Sequence, residues 1–199
     1  MDFEINVPTS RNGKATFRLL LDTSVNVFYA KGYHYTTIKD ITSEAGVAAG
    51  TFYLYFKNKF VLYKYLLIEI QHDIRRTIAQ KVSLVEGRYE KEREGLKTFI
   101  QYTIDNPHSY NIIWESLFID KTLFMDYYSG FAKRYEKGLN QSIKDGEMHY
   151  VDTELVSYIF MGVANFIGLK VLFNLGSNND DIELVVDNVM KIIKTGIFK

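Results

Sequence analysis

The sequence predicts an all-α protein of about nine helices. Apolar residues recur at three- and four-residue spacing through most of the chain, which is the period of an amphipathic helix. Glycine, asparagine and proline interrupt these stretches where helix ends and short turns are expected. No run alternates apolar and polar residues as a half-buried strand does. We expect a flexible tail over residues 1–9, a three-helix domain over residues 10–57, and a larger helical bundle over residues 58–199.

The composition excludes several kinds of site. The chain has no cysteine, which excludes disulfide scaffolds, thiolate zinc sites and cysteine nucleophiles. The four histidines have no metal-like spacing and no nucleophile–base pair is recognisable, so we expect no metal, no cofactor and no enzyme activity. The N-terminus lacks a signal-peptide pattern, and Asn165, Lys170 and Asp187 interrupt the longest apolar stretches. We expect a cytoplasmic protein without a membrane span.

Charge is unevenly distributed, although the formal net charge of the whole chain is zero. Residues 9–64 contain eight lysines or arginines and three acidic residues, a net charge of +5. The remainder is therefore net acidic. This asymmetry is a modest indication that the basic part binds a polyanion, and a chance distribution of charge is the alternative.

The first predicted helix covers residues 11–31. Thr9 or Ser10 is placed to cap its N-terminus, and Gly32 can end it because glycine readily adopts a left-handed conformation. Phe17 and Phe28 lie on its apolar face. We expect this helix to support the two short helices that follow.

Residues 37–56 have the layout of a helix-turn-helix. Thr37 and Asp40 form a capping-box pattern that starts helix two, and Gly46 makes the turn. Helix three is predicted over residues 49–56, with small residues at its start and aromatic residues at its end. The second helix of such a motif can enter a DNA major groove.

The pattern Gly-x-x-x-Thr-Thr-Ile-x-Asp-Ile-x-x-x-Ala-Gly-Val-x-x-Gly-Thr-Phe-Tyr-x-Tyr-Phe-x-x-Lys occupies residues 32–59. It closely resembles the N-terminal domain of the TetR family of bacterial transcriptional regulators, over about residues 11–68. The resemblance implies an all-helical homodimer with a helix-turn-helix DNA-binding domain and a C-terminal ligand-binding and dimerisation domain. It also implies a repressor that a small ligand releases from its operator.

Carried over residue by residue, the resemblance implies a DNA-binding surface. Thr37 caps helix two beside a phosphate, Lys39 reaches the groove, and helix three reads bases. Tyr53 and Tyr55 contact phosphates, although either tyrosine could instead be partly buried core, and Lys59 binds a phosphate at the start of helix four. The candidate DNA-binding residues are Thr36, Thr37, Lys39, Ala48, Ala49, Gly50, Thr51, Tyr53, Tyr55 and Lys59.

The chain departs from the family pattern at the start of helix three. Ala48 stands where serine is common, and Ala49 where a longer polar residue is common. Two alanines remove a helix cap and a side-chain donor, so few hydrogen bonds to base edges are expected. Methyl contacts with thymine, together with sequence-dependent DNA shape, then contribute more to specificity. We predict an operator that is an A·T-rich inverted repeat of double-stranded DNA.

The region between residues 95 and 174 is unusually aromatic, which suits either an ordinary core or an apolar ligand cavity with a few orienting polar groups. Glu115 needs a partner if it is buried, such as Arg134, a tyrosine hydroxyl or a cationic ligand, and is otherwise an exposed helix residue. We expect a hydrophobic or aromatic small-molecule effector. The candidate ligand-binding residues are Phe99, Tyr102, Tyr110, Trp114, Glu115, Phe118, Tyr127, Phe131, Arg134 and Asn165.

The last two predicted helices, near residues 153–174 and 180–196, are apolar around most of their circumference. Such a helix pair requires cover, which a two-fold partner provides, and the family resemblance implies dimerisation there. The candidate interface residues are Phe160, Val163, Ile167, Val171, Val185, Val189 and Ile193.

Two alternatives to a ligand-released repressor stay open at this point. The first is a helical carrier of hydrophobic ligands that does not bind DNA, and the second is an activator of the same family. Salt-dependent binding to duplex DNA separates the regulator from the carrier.

Overall fold

The computed structural model of the protein describes residues 5–174 and 179–195. Within these residues the secondary structure is nine α-helices and one isolated β-bridge between Ile5 and Phe56, so the predicted all-α fold is confirmed. The helices are α1 (Arg11–Lys31), α2 (Ile38–Glu44), α3 (Ala49–Tyr53), α4 (Lys59–Val82), α5 (Arg88–Asp105), α6 (Pro107–Ile119), α7 (Lys121–Lys144), α8 (Thr153–Asn174) and α9 (Asn179–Thr195).

Contacts divide the chain into two compact units. Unit 1 comprises the described residues of Met1–Gln71 and of His108–Tyr127. Unit 2 comprises the described residues of His72–Pro107 and of Tyr128–Lys199. The first part of α4 and the whole of α6 except its first residue thus belong with the N-terminal helices. The sequence-based boundary after residue 57 divides the chain by expected role, and it stays a prediction.

The core of unit 1 is aromatic. Phe17 of α1 stacks on Phe56 with ring centroids 5.0 Å apart, and Phe28 of α1 lies edge-on to Tyr63 of α4 at 5.2 Å. Phe28, Phe56 and Tyr63 are completely buried. Helix α1 thus packs on the residue Phe56, just after α3, and on Tyr63 of α4.

Within unit 1, polar contacts as well as apolar ones join helix α6 to α1 and α4. The Tyr63 hydroxyl donates to the Ile112 carbonyl oxygen at 2.6 Å. His108 lies 2.9 Å from the Asn26 side-chain oxygen and stacks on Tyr29 with centroids 3.9 Å apart. These contacts fix the orientation of α6 relative to α1 and α4.

Unit 2 is organised around α5, which packs against α8 and α9. Its buried core contains Ile100 of α5, Val171 of α8, and Val186 and Met190 of α9. At the surface, Arg93 of α5 pairs with Glu183 and with Asp187 of α9. The ion pairs and the apolar core together determine which side of α9 faces α5.

A second polar cluster lies inside unit 2. Arg88 pairs with Glu92 one turn along α5, and the Tyr135 hydroxyl of α7 donates to the same carboxylate. Burial raises the pKa of the Glu92 carboxyl, and the Arg88 charge opposes that effect. Gly138 leaves the space for this pair, because a Cβ there would lie 2.9 Å from the Arg88 guanidinium.

Helix α8 is more apolar than the sequence prediction allowed. The stretch Thr153–Phe173 has a mean hydropathy of 1.8, so by length and composition it could cross a membrane despite Asn165 and Lys170. One such helix is weak evidence for a membrane span, because a helix of a soluble protein passes the same test. In unit 2 one side of α8 packs on α5, and its opposite side exposes large apolar residues.

Candidate nucleic-acid interface

The start of α2 is held by a complete capping box. The Asp40 amide donates to the Thr37 hydroxyl oxygen at 3.1 Å, and the Thr37 amide donates to the Asp40 carboxylate at 2.8 Å. The Lys31 ammonium pairs with the other oxygen of Asp40 at 2.8 Å, which joins the end of α1 to α2. The hydrogen bonds from Lys31 and from Thr37 hold the pKa of the Asp40 carboxyl well below its usual range.

The turn and α3 form as the sequence predicts, except at the C-terminal end of the helix. Gly46 has φ of 66°, a conformation that glycine adopts without strain. Ala48 is the N-cap of α3 and makes no side-chain capping bond, so the predicted loss of a cap is confirmed. Helix α3 ends at Tyr53, three residues before the predicted end.

The shorter α3 results from contacts that lie far away in the sequence. The Asn6 side-chain amide donates to the Leu54 carbonyl oxygen at 3.1 Å, and the Asn6 backbone amide donates to the Tyr55 carbonyl oxygen at 3.0 Å. Ile5 forms the β-bridge with Phe56. The N-terminal segment therefore pairs with the residues after α3. Residues 5 and 6 of the predicted tail are held in this way, and residues 1–4 lie outside the described residues.

Most of the predicted DNA-binding residues lie on the surface. Tyr53, the last residue of α3, is 59% exposed. Thr51 is half-buried on the same short helix. The other exposed members of the predicted set are Thr37, Lys39, Ala48, Ala49 and Gly50.

Two predicted DNA-binding residues point inward. Thr36 is 1% exposed, and its hydroxyl donates to the Gly32 carbonyl oxygen at 2.8 Å. Tyr55 is 9% exposed and lies edge-on to Phe17 at 5.5 Å. The expected phosphate contact of Tyr55 assumed that the helix continued to residue 56. Because the chain leaves the helix after Tyr53, Tyr55 turns into the core.

Lys59 has an internal role that the sequence did not reveal. Its ammonium donates to the carbonyl oxygens of Tyr33 and Thr36 at 2.5 and 2.6 Å, and it lies 4.2 Å from the centroid of the Tyr33 ring. Burial lowers the pKa of Lys59, and the negative charges of Glu115 and Asp40 oppose that effect. An ammonium has three protons, and these carbonyls occupy two of them. The phosphate contact of Lys59 stays a prediction.

The predicted ligand-binding residues of unit 1 have different environments. Tyr110 and Tyr127 are buried, and Trp114 lies 6.3 Å from Tyr110 between ring centroids. Phe118 is 78% exposed, so its side chain lies on the surface of this chain. Glu115 accepts a hydrogen bond from the Tyr33 amide at 2.6 Å, a partner that was not among the three expected.

The predicted ligand-binding residues of unit 2 are mostly engaged with other protein groups. Tyr102 donates to the Asp73 carboxylate at 3.0 Å, and burial raises its pKa. Asn165 donates to the Met161 carbonyl oxygen at 2.7 Å and accepts from the Tyr128 hydroxyl at 3.1 Å. The remaining members are Phe99 and Phe131, which are half-buried, and Arg134, which is exposed.

The predicted interface residues lie largely on the inner side of the last two helices. Val171 is completely buried in the core of unit 2, and Ile167, Val185 and Val189 pack against that core. Phe160 lies edge-on to Tyr135 at 5.9 Å, Val163 is half-buried and Ile193 is 38% exposed. Most of the exposed apolar residues of these two helices are others. We call them the outer stripe: Leu155, Ile159, Phe166 and Phe173 of α8, with Leu184 and Ile192 of α9.

The spacing of the outer stripe could have identified it from the sequence. Its α8 members follow one another at intervals of four, seven and seven residues, which keeps them on one side of a helix. Because α8 is apolar nearly all round, that signal was hidden among the core-facing residues. The apolar character predicted an interface, but it did not indicate the side of the helix.

Comparison with known proteins identifies the helix-turn-helix. Residues 20–66 match the family described as bacterial regulatory proteins, tetR family. Over these residues the chain is similar to the DNA-binding part of that family. A 40-residue stretch is 50% identical to the fatty acid metabolism regulator protein of Bacillus subtilis (strain 168), and it covers 20% of this chain and 21% of that relative. The chain thus aligns with only about a fifth of that regulator's length.

Solved structures extend the likeness to nearly the whole chain. The transcriptional regulator FadR from Bacillus subtilis, in complex with stearoyl-CoA, has a TM-score of 0.77 at 20% identity, over 92% of this chain and 100% of that chain. AibR, in complex with isovaleryl coenzyme A and operator DNA, has a TM-score of 0.69 at 15% identity, over 89% and 97%. This chain therefore has the fold of these two proteins.

Proposed function

We propose that this protein is a sequence-specific DNA-binding transcriptional regulator of the tetR family. It acts as a homodimeric repressor that a small hydrophobic ligand releases from an inverted-repeat operator. The observation that carries the proposal is the exposed outer side of the helix-turn-helix. Thr37 and Lys39 are exposed at the start of α2, and Tyr53 is exposed at the end of α3. The aromatic core behind them holds this surface in place.

The composition of this surface suggests how it distinguishes DNA sequences. Thr37, Lys39 and Tyr53 supply hydrogen-bond donors suited to phosphates, and such contacts position the protein without specifying bases. Ala48 and Ala49 offer only methyl groups, which suit the methyl of thymine. We therefore infer an A·T-rich operator that is read partly through DNA shape. A consensus rich in G·C pairs would contradict this inference.

The outer stripe supports a homodimer. Phe173 is 76% exposed, Leu184 is 62% exposed and Leu155 is 57% exposed, which is unusual for large apolar side chains that stay in water. A second copy related by a two-fold axis would cover this surface with the same residues. Two helix-turn-helix motifs then contact half-sites about 34–36 Å apart, which requires an inverted repeat.

An acyl-CoA is the effector class that we propose. Both structural relatives described above hold an acyl-CoA, and the sequence of this chain favours an apolar or aromatic effector. Trp114 is the only tryptophan in the sequence, so tryptophan fluorescence reports on the surroundings of this predicted ligand-binding residue. Titration with short- and long-chain acyl-CoAs should change the emission and release bound DNA. Confirmed acyl-CoA binding with unchanged emission would place the ligand away from Trp114.

Salt dependence of DNA binding is the test that separates the regulator from a ligand carrier. Binding of the full-length protein to duplex DNA should weaken steeply as salt rises from 50 to 200 mM, because phosphate contacts release counterions. A protein that binds acyl-CoA and no duplex at low salt would instead be a carrier.

A further inference from the structure

Glu115 joins α6 to the turn between α1 and α2. Its Oε1 atom accepts a hydrogen bond from the Tyr33 amide at 2.6 Å. The preceding residue, Gly32, has φ of 76°, and a Cβ at this position would lie 3.2 Å from Oε1. Glycine therefore permits the left-handed turn that presents the Tyr33 amide, and it leaves the carboxylate enough space to reach that amide.

Lys59 of α4 also bonds to the backbone of Tyr33. Its ammonium donates to the Tyr33 carbonyl oxygen and also to that of Thr36. Both backbone polar groups of Tyr33 are thus bonded to charged side chains, one from α6 and one from α4. Bonds to charged groups are stronger than neutral ones.

Electrostatic effects agree with this arrangement. The negative charge of Glu115 opposes the lowering of the pKa of Lys59 by burial. Burial and then the Glu115 charge raise the pKa of Tyr33, and the same two causes raise that of Tyr63. The Glu115 charge therefore acts on one ammonium and on two tyrosine hydroxyl groups. It is placed to attract the ammonium that holds the turn.

This clamped turn leads directly into the predicted DNA surface. The Thr36 carbonyl that Lys59 holds is followed by Thr37, the N-cap of α2. Thr37 and Lys39 are exposed on the first turn of that helix. A shift of the turn therefore moves both side chains together.

We propose that Glu115 is a positioning residue for DNA binding, which acts by holding the Tyr33 backbone so that α2 presents Thr37 and Lys39 to the operator. The inference rests on the proposed function, and the sequence-based assignment of Glu115 to a ligand contact stays a prediction. The Glu115 carboxylate does not contact DNA itself, and it affects binding only by holding the turn between α1 and α2. Its loss should therefore weaken binding, although the carboxylate itself contacts no phosphate.

The direct test compares Glu115→Ala and Glu115→Gln with His108→Ala in the full-length protein. His108 is the matched control, because it also joins α6 to α1 but contacts Asn26 and Tyr29 away from the turn. We expect Glu115→Ala to weaken operator binding about tenfold. Glu115→Gln should lose less, since its amide oxygen can accept the same hydrogen bond. His108→Ala should retain wild-type affinity.

The salt slope and amide exchange distinguish positioning from general destabilisation. The slope of log affinity against log salt should become less steep in Glu115→Ala and stay at the wild-type value in His108→Ala, because a displaced Lys39 loses its phosphate contact. Exchange of the Tyr33 amide should accelerate about tenfold in Glu115→Ala and stay at the wild-type rate in His108→Ala. This measurement needs no DNA, so it tests the hold of Glu115 on the Tyr33 backbone separately from the proposed function, which a wild-type protein that binds no duplex would overturn.

Three results would overturn the inference. The first is wild-type operator affinity in a folded Glu115→Ala variant. The second is an equal loss of affinity in His108→Ala, which would mean that α6 attachment in general is responsible. The third is a Glu115→Gln variant with Tyr33 exchange as fast as in Glu115→Ala, which would exclude the hydrogen bond as the cause. If Glu115→Ala does not fold, Tyr33 exchange should still be faster in Glu115→Gln than in His108→Ala, because a neutral acceptor holds the amide less strongly, and equal rates would overturn the inference.

Discussion

At the scale of single residues, the helix-turn-helix depends on a few side chains that each fix one piece of backbone. Asp40 is an example, because its carboxylate accepts from the Thr37 backbone amide and hydroxyl and also pairs with Lys31. The capping box was predictable from the sequence, since its two residues are three positions apart. The contact with Lys31 was not, because it depends on how α1 and α2 pack.

Asp40→Asn should make the protein less sensitive to acid. The folded-state pKa of Asp40 is lowered, so its contribution to stability is present above its ordinary pKa of about 4 and is lost as the pH falls further. The variant should be less stable than wild type at pH 7, and the difference should shrink below pH 4. Urea denaturation across pH 2–7 measures this. Asp22→Asn is the control, because the Asp22 pair with Arg18 is exposed and within one helix. An equal effect of both variants would contradict the account.

Tyr53→Phe should weaken binding to all duplexes by the same factor, whereas Tyr55→Phe should leave affinity nearly unchanged. Tyr53 is 59% exposed and Tyr55 is 9% exposed, so only the first hydroxyl is placed for a phosphate. Loss of one such hydrogen bond is worth about 1 kcal/mol, or roughly fivefold in affinity. Titrations on the operator and on a random duplex measure both factors. A loss confined to the operator would mean that Tyr53 reads bases instead.

At the scale of helices, the ends of the predicted helices carry local signals in the sequence. Ser10 caps α1 by accepting from the Gly13 amide, and Gly32 ends it, both as expected. The exception is α3, which ends early because Asn6 and Ile5 pair with the residues beyond Tyr53. That pairing joins positions about fifty residues apart, and no local pattern encodes it.

Asn6→Ala should loosen the end of α3. The substitution removes the donor to the Leu54 carbonyl oxygen but keeps the backbone bond to Tyr55. We expect a loss of about 0.5–1.5 kcal/mol in unfolding free energy and a smaller loss in operator affinity. Val7→Ala, which changes an exposed neighbour in the same segment, is the control. Thermal unfolding measures this loss. An unchanged free energy of unfolding in Asn6→Ala would mean that the N-terminal segment does not support α3.

Ile159→Glu should dissociate the proposed dimer. Ile159 is 51% exposed on the outer stripe, and a carboxylate there would be buried against a second copy. Sedimentation at micromolar concentration should show a dimer for wild type and a monomer for the variant. Leu84→Glu is the matched control, since Leu84 is 78% exposed outside the stripe. A monomeric wild-type protein would refute the dimer.

At the scale of the whole molecule, the chain combines a helix-turn-helix that local patterns reveal with a helical bundle that they reveal only in outline. The ligand-binding set illustrates the difference. Tyr102 and Tyr110 are buried as expected, but Phe118 and Arg134 are exposed and Glu115 serves the α1–α2 turn. Aromatic content predicts that such residues pack together. It does not indicate which of them face an effector, because that depends on tertiary contacts.

The account stands on sequence-specific binding of this protein to DNA as a dimer. Selection of duplex fragments from the genome that encodes it, with the full-length protein at moderate salt, tests that claim most directly. We predict enrichment of a small number of fragments that share an A·T-rich inverted repeat, with bound complexes of one dimer per repeat. Recovery of fragments no different from the input genomic DNA would contradict the account.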